Sequence, residues 1–361
     1  MQALTNFIHV QIHLKENRKA ELISEEIIQR IHHDNCFDFI RYFFAFSLIL
    51  VHFCTVTGTP QFWFVSGGTR VKAFFIITGF LVVYSFIRRK NLKVYISKRA
   101  RRILPAYITV ILLCTLLGCL LSDLTPIQYF TSGQTYRYLL SNITFQNYLE
   151  PCLPGLFTHN LLHPVNGSLW SMKVEVLFYI CVPFIVWMMR RTNKLVILVT
   201  IFLFSVVYNL FFAYLFQKTG VRFYWLMQHQ LGGQMIYFFG GIAILLYFDR
   251  FCRYIKWIFP IGVALFLLSK QNIVLHYIEP ISFAVIIIGI AYFCKPLNFL
   301  KKYDNISYGL YLYHFPVVQV LVHFHVNQYS IPLCFVLTLF ITIVLATLSW
   351  KIIEKPILNR K

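Results

Sequence analysis

A bundle of membrane-spanning α-helices is the fold this sequence predicts. Three observations carry that reading. Hydrophobic residues make up 58% of the 361 residues and charged residues only 13%, where a soluble domain carries about a quarter. Mean hydropathy is +0.66, and apolar runs recur from end to end, many near the ~20 residues that cross a hydrocarbon core. The alternation of polar and apolar residues that marks a membrane β-barrel is absent from the sequence. The fold class is therefore all-α: a polytopic membrane helical bundle of about ten transmembrane helices with both termini cytoplasmic.

The elements follow in order. Residues 1–34 are polar and charged, with Leu22, Ile23, Ile27, Ile28 and Ile31 at helical spacing. They predict a short amphipathic cytoplasmic helix lying on the bilayer or on the protein, with a plain solubilising extension as the alternative. The absence of an apolar core there argues against a cleavable signal peptide. Residues 35–361 form the integral membrane domain. Its spans are expected near 39–58, 72–87, 103–122, 168–189, 195–216, 229–248, 257–270, 278–294, 306–325 and 332–353. The segment 91–102, NLKVYISKRARR, is a further interfacial helix. The segment 123–167 is rich in Pro and poor in charge, and its aromatic content predicts that it folds back over the bundle, partly re-entrant.

The formal charge of +20 would suggest nucleic acid in a soluble chain. Here Lys and Arg sit in short clusters between apolar runs and fall on every second loop. That pattern fits topology and anionic headgroups, with membrane lipid and no nucleic acid as partner. The nine Cys lie mostly within apolar runs and lack CxxC spacing, so neither a disulfide framework nor a metal site is expected. No internal repeat is visible, which weighs against a transporter. Oligomeric state is left open.

The first span carries the candidate chemistry. Arg41 and His52 stand eleven residues apart in RYFFAFSLILVH. That is about three helical turns, so they share a face with an axial separation of roughly 16 Å. The spacing places Arg41 at the inner surface and His52 near the midplane. Singly, Arg41 reads as a snorkelling arginine and His52 as a helix–helix hydrogen-bond partner. Paired on one face, they mark a pathway or site.

The chain here resembles the acyltransferase family 3 membrane proteins, which acylate cell-surface glycans and similar acceptors. Arg41, ten residues and His52 repeat that family's first-span motif. FFIITGF, Phe74 to Phe80, resembles its second-span block, with Thr78 in place of the usual Ser. RARRILPAY supplies Arg99, Arg102, Pro105 and Tyr107. NGSLWSMKVEVLFY supplies Ser168, Trp170, Ser171 and Glu175. SYGLYLYHFP supplies Ser307, Tyr308, Tyr311, His314 and Pro316, and the closing IEKP supplies Glu354 and Pro356. The blocks run in order over residues 38–356; the tail 1–34 is not covered.

The resemblance implies a membrane O-acyltransferase, most simply an O-acetyltransferase, with cytoplasmic acyl-CoA, commonly acetyl-CoA, as donor and no metal. The implied acceptor is a cell-surface glycan or lipid-linked saccharide such as lipopolysaccharide O-antigen, and the place is the bacterial inner membrane. Such transfer needs a base, a donor clamp and groups that stabilise an oxyanion. His52 is the candidate base, and Arg41 at the mouth of the pocket is counted with it among the catalytic candidates. Glu175, the acid inside the fourth span, either orients the imidazole or acts on the acceptor hydroxyl; its plain alternative is a pair with Lys173. Arg41, Arg99, Arg102 and Tyr107 are the donor-binding candidates, with phosphates met by the arginines. Trp170, Ser168 and His314 are the substrate-side candidates, and Trp63, Tyr129 and Tyr148 are further aromatics for sugar faces. The alternatives are a flippase or transporter of a lipid-linked saccharide, an acyltransferase acting on lipids or small molecules, and a non-catalytic membrane scaffold.

Overall fold

The computed structural model describes residues 22–32, 35–61, 67–89, 91–271 and 275–359. The tail before residue 22, Trp63, Lys90, Arg360 and Lys361 lie outside them. In chain order the helices are α1 Glu25–His32, α2 Phe37–Thr57, α3 Gly67–Arg89, α4 Leu92–Gly118, α5 Pro126–Thr131, α6 Gly133–Ile143, α7 Trp170–Arg191 and α8 Lys194–Thr219. There follow α9 Arg222–Gln228, α10 Leu231–Leu246, α11 Phe248–Ser269, α12 Glu279–Phe293, α13 Ser307–His323, α14 Val326–Tyr329, α15 Ile331–Ser349 and α16 Lys355–Asn359. No strand occurs among the described residues.

The protein is an integral membrane protein, with 8 helical stretches among the described residues long and apolar enough to cross a membrane: α2, α3, α4, α7, α8, α11, His276–Phe293 and Ile331–Asn359. Ten helices stand where ten spans were expected. Two of them are short, α10 with 16 residues and α13 with 17. Both are buried along most of their length, and a helix sheathed by protein is not held to the hydrocarbon thickness. The expected interfacial helix 91–102 is not separate. It runs straight into the span as α4, 27 residues with Pro105 inside. Lys, Arg, Ala and Leu favour helix throughout this junction, and Pro105 removes only the one hydrogen bond its missing N–H would make.

The chain divides into two compact units. The first comprises residues up to Cys36, Lys72–Leu92 and Leu177–Asn298. Backbones meet closely here. A Cβ on Gly79 would lie 2.1 Å from the Phe238 carbonyl oxygen, and one on Gly241 would lie 2.1 Å from that of Ile76. The glycine of FFIITGF is thus a packing requirement of α3 against α10. Phe178 fills the adjoining space, stacked on Phe238 at 4.2 Å. The described part of the tail packs on this unit: Ile27 and Ile31 are buried, and Tyr84 and Tyr292 hydroxyls donate to the Ile28 and Ile31 carbonyls. That selects protein over bilayer for α1. At the far end of α12, fully buried Glu279 is balanced by Lys270 at 3.0 Å, Lys72 at 3.3 Å and His276 at 3.3 Å.

The second unit comprises Phe37–Val71, Lys93–Val176 and Phe299–Lys361. Its centre is α13, buried between α2 and α15. Gly309 lets α13 approach Ala346, where a Cβ would come within 2.8 Å. The segment 123–167 is ordered on this unit, as its composition suggested, by short helices and side-chain knots. A capping box, Thr125 with Gln128, opens α5. The Gln319 amide on α13 donates to the Leu162 and Pro164 carbonyls at 2.7 Å each, and Asn160 donates back to the Gln319 side chain at 2.8 Å. These bonds fasten the segment to the helix that carries His314.

Candidate functional site

His52 and His314 meet side by side, 262 positions apart in sequence. His52 Nδ1 lies 2.7 Å from His314 Nε2. The rings are 3° from parallel with centroids 5.0 Å apart. That separation is little more than the contact plus two ring radii, so the imidazoles lie end to end in one plane and the N–H aims along its partner's lone pair. His314 Nδ1 is 3.0 Å from the Leu310 carbonyl, which only accepts. In neutral rings this fixes both tautomers: His314 donates from Nδ1 to Leu310 and accepts at Nε2, and His52 donates from Nδ1. The lone pair of His52 Nε2 is left for other chemistry. His314 is fully buried, and Phe315 sets its ring edgewise on His52 at 5.2 Å.

Local sequence explains the pairing. His52 sits on α2 fifteen residues after Phe37 and five before Thr57. At 1.5 Å per residue that is roughly 8 Å from the Thr57 end, closer to it than the midplane expected from a span starting at 39. Gly309 and Pro316 shape α13 on either side of His314. Asn166 Nδ2 donates to the Leu312 carbonyl at 2.8 Å, and Ser168 donates to Asn166 Oδ1 at 2.6 Å. The Tyr311 hydroxyl donates to the Ser168 carbonyl and lies 2.5 Å from the Ser171 hydroxyl. The blocks NGSLWS and SYGLYLYHFP are therefore one hydrogen-bonded assembly, and Ser168 acts within it as a clamp on α13. Glu175, one turn beyond Ser171 on α7, is within electrostatic range of Tyr311. The place on His52 Nδ1 that Glu175 was a candidate to fill is taken by His314. Lys173, the plain alternative partner for Glu175, has its Nζ over the Tyr148 ring at 4.6 Å. Trp170 begins α7 and is half-buried.

The basic candidates gather at the Phe37 end of α2. Arg41 pairs with Asp38 at 3.1 Å, and Asp38 also accepts from Asn305 at 2.5 Å. Arg102 reaches Glu354 at 3.5 Å, with its guanidinium 5.4 Å from the Trp350 ring and 5.8 Å from that of Tyr308. A π-helical turn, Trp350–Glu354, turns Glu354 inward to 1% exposure. Lys355 bonds Asp304 at 3.0 Å and holds that carboxyl below its ordinary value. Three sequence blocks thus converge on Arg102, while Arg99 stands one turn before it on α4. Tyr107 is elsewhere. It is fully buried, donates to the Asn142 carbonyl at 2.7 Å, accepts from Asn147 at 2.9 Å and stacks on Phe145 at 4.4 Å. That is a knot holding α4 to the 123–167 segment.

Sequence reasoning missed Arg70. A second span starting at 72 left it in a loop, but α3 begins at Gly67 and carries Arg70 in its first turn. Arg70 is 1% exposed and within electrostatic range of His52 and Cys54. The available signal was an arginine four residues before the Phe74–Phe75 pair, at the head of the apolar run.

Residues 34–351 match the family described as the acyltransferase domain, acyltransferase family 3. The O-acetyl transferase of Shigella phage Sf6 is 29% identical over 348 residues, covering 91% of this chain and 98% of that protein. Nodulation protein 10 of Rhizobium leguminosarum bv. viciae is 25% identical over 355 residues, covering 90% and 93%. O-acetyltransferase OatA of Staphylococcus aureus (strain NCTC 8325 / PS 47) is 23% identical over 360 residues, covering 89% of this chain and 56% of that protein. No solved structure matches the chain.

Proposed function

We propose a reaction for this chain from the premise that it belongs to the acyltransferase domain family and is a membrane O-acyltransferase: it moves an acetyl group from cytoplasmic acetyl-CoA to a hydroxyl of a cell-envelope saccharide, such as lipopolysaccharide O-antigen, at the bacterial inner membrane. The observation that carries the mechanism is the chain of bonds from His52 through His314 to the Leu310 carbonyl.

His52 Nε2 takes the proton of the acceptor hydroxyl as its oxygen attacks the thioester carbonyl. The C–S bond then breaks, the ester C–O bond remains, and the proton passes from His52 to the departing thiolate. His314 holds the imidazole in the reactive tautomer and plane, as the second group of a catalytic pair does. Arg41 and Arg102 clamp the donor phosphates at the cytoplasmic mouth. The pantetheine arm runs from there along the ~16 Å between Arg41 and His52. Glu175, with Tyr311 and Ser171, stands on the acceptor side of the imidazole pair, with Trp170 as a face for the sugar.

The test is transfer of label from radiolabelled acetyl-CoA to envelope saccharide by the purified protein. His52→Ala is expected to lower kcat by about 10²–10⁴-fold, the usual contribution of a general base. Equal labelling by the variant removes His52 from the chemistry.

A further inference from the structure

We infer that Arg70 is the oxyanion-binding residue of the transfer, its guanidinium receiving the carbonyl oxygen of the acyl donor as that oxygen becomes negative. The inference rests on the donor reading above and names a group that no sequence block contains.

Three observations point there. Arg70 is 1% exposed, and both Nε and Nη1 are buried with no hydrogen-bond partner among the described residues. Other basic side chains of the second unit are met by carboxylates: Arg41 has Asp38, Arg102 has Glu354, and Lys355 has Asp304. Deep in the first unit, buried Glu279 is met by two lysines and a histidine. A guanidinium is always charged and carries five donors. Leaving it dry and unpaired costs several kcal/mol, so its complement arrives with the reaction. Arg70 also stands where that complement would form. Both Arg70 and His52 lie near the ends of α3 and α2 that the 58–66 connection joins, and the charge of Arg70 is felt at His52.

The chemistry asks for such a group. When the acceptor oxygen bonds to the thioester carbon, the C=O π pair moves onto the carbonyl oxygen. The hydroxyl proton goes to His52 Nε2, which leaves one full negative charge on the tetrahedral intermediate. Arg70 offers charged N–H donors to that oxygen in a site from which water is excluded. The pair then re-forms C=O, the C–S bond breaks, and the thiolate takes the proton from His52. A permanently anionic group on the acceptor is the rival complement, and it would make Arg70 a binding residue instead.

The experiment is a kinetic and thermal comparison of purified wild type, Arg70→Lys, Arg70→Met and Arg70→Ala with radiolabelled acetyl-CoA. The expected result is a loss in kcat of about 10²–10³-fold for Arg70→Met, as for loss of an oxyanion donor elsewhere. KM for acetyl-CoA and for acceptor should stay within about twofold, because the contact exists only in the transition state. Arg70→Lys should retain part of the rate, and Arg70→Ala should regain activity in millimolar guanidinium. The melting temperature of Arg70→Met should equal or exceed wild type, because the change removes a buried unpaired charge. A kcat unchanged by Arg70→Met, a defect confined to acceptor KM, or a melting temperature that falls in step with activity each overturns the proposal. If wild type transfers nothing from acetyl-CoA, the donor reading fails and this proposal falls with it; if wild type transfers and Arg70→Met matches it, Arg70 alone is excluded.

Discussion

Replacing His314 with Leu removes the acceptor on which His52 depends while leaving the proposed base in place. A neutral hydrogen bond contributes about 0.5–1.5 kcal/mol net, and that is the bias holding His52 with its proton on Nδ1. At about 1.4 kcal/mol per factor of ten, its loss alone shifts the tautomer ratio against the reactive form by roughly 2- to 10-fold. The in-plane contact at 2.7 Å, with rings 3° from parallel, also fixes the direction of the Nε2 lone pair. Misplacement of a reacting group by about 1 Å costs on the order of 10²-fold. Together the two predict a fall in kcat of roughly 10²–10³-fold with KM for acetyl-CoA unchanged. His314→Gln is the control. Its side-chain oxygen can accept from His52 Nδ1 near the place of Nε2, so it should recover most of that loss. The assay is label transfer by detergent-purified protein, with melting temperatures recorded to confirm that both variants fold. Wild-type activity in His314→Leu, or equal losses in Leu and Gln, would refute the tautomer argument.

Three other outcomes follow from the same geometry. Arg102→Gln should raise KM for acetyl-CoA by roughly 10- to 100-fold, the worth of one or two charge-assisted bonds, with kcat nearly unchanged; an unchanged KM would move the phosphate clamp away from Arg102. Tyr107→Phe should lower stability by about 1–3 kcal/mol by removing its bonds to the Asn142 carbonyl and from the Asn147 amide, read as a lower melting temperature, and should leave KM alone; a raised KM would instead return Tyr107 to the donor site. Glu279→Gln should destabilise by about 3 kcal/mol or more, since it strands Lys72 and Lys270 without their counter-charge, whereas Lys270→Gln, at a half-exposed position, should cost far less.

Helix positions were legible because a run of ~20 apolar residues has few other fates. The α2 helix, with Arg41 and His52 on one face, was legible for the same reason: spacing along a helix is geometry. What sequence did not disclose is what lies across from each helix. His52 and His314 are separated by 262 positions, and no local rule says which face of α13 meets α2. Glu175 was the natural orienting partner by chemical type, yet the place was filled by a second imidazole. Arg70 was hidden by a boundary. Moving the start of α3 from 72 to 67 turns a loop arginine into a buried one. Tyr107 sits beside Arg102 in sequence, but one α-helix carries them more than a turn apart, into different surroundings. The motif FFIITGF was recognisable as a block, and its Gly79 proves to be there because the Phe238 backbone leaves no room for a Cβ.

The proposed reaction runs from acetyl-CoA on one side of a membrane to a hydroxyl on the other, with His52 as the base between. Proteoliposomes carrying the protein in one orientation, with envelope saccharide enclosed and radiolabelled acetyl-CoA added outside, test it directly. Label is expected on the enclosed saccharide in vesicles whose Arg41 end faces the added donor, none in the opposite orientation, and near-background label with His52→Ala. Label that appears only when donor and acceptor share a side, or that persists in His52→Ala, would contradict it.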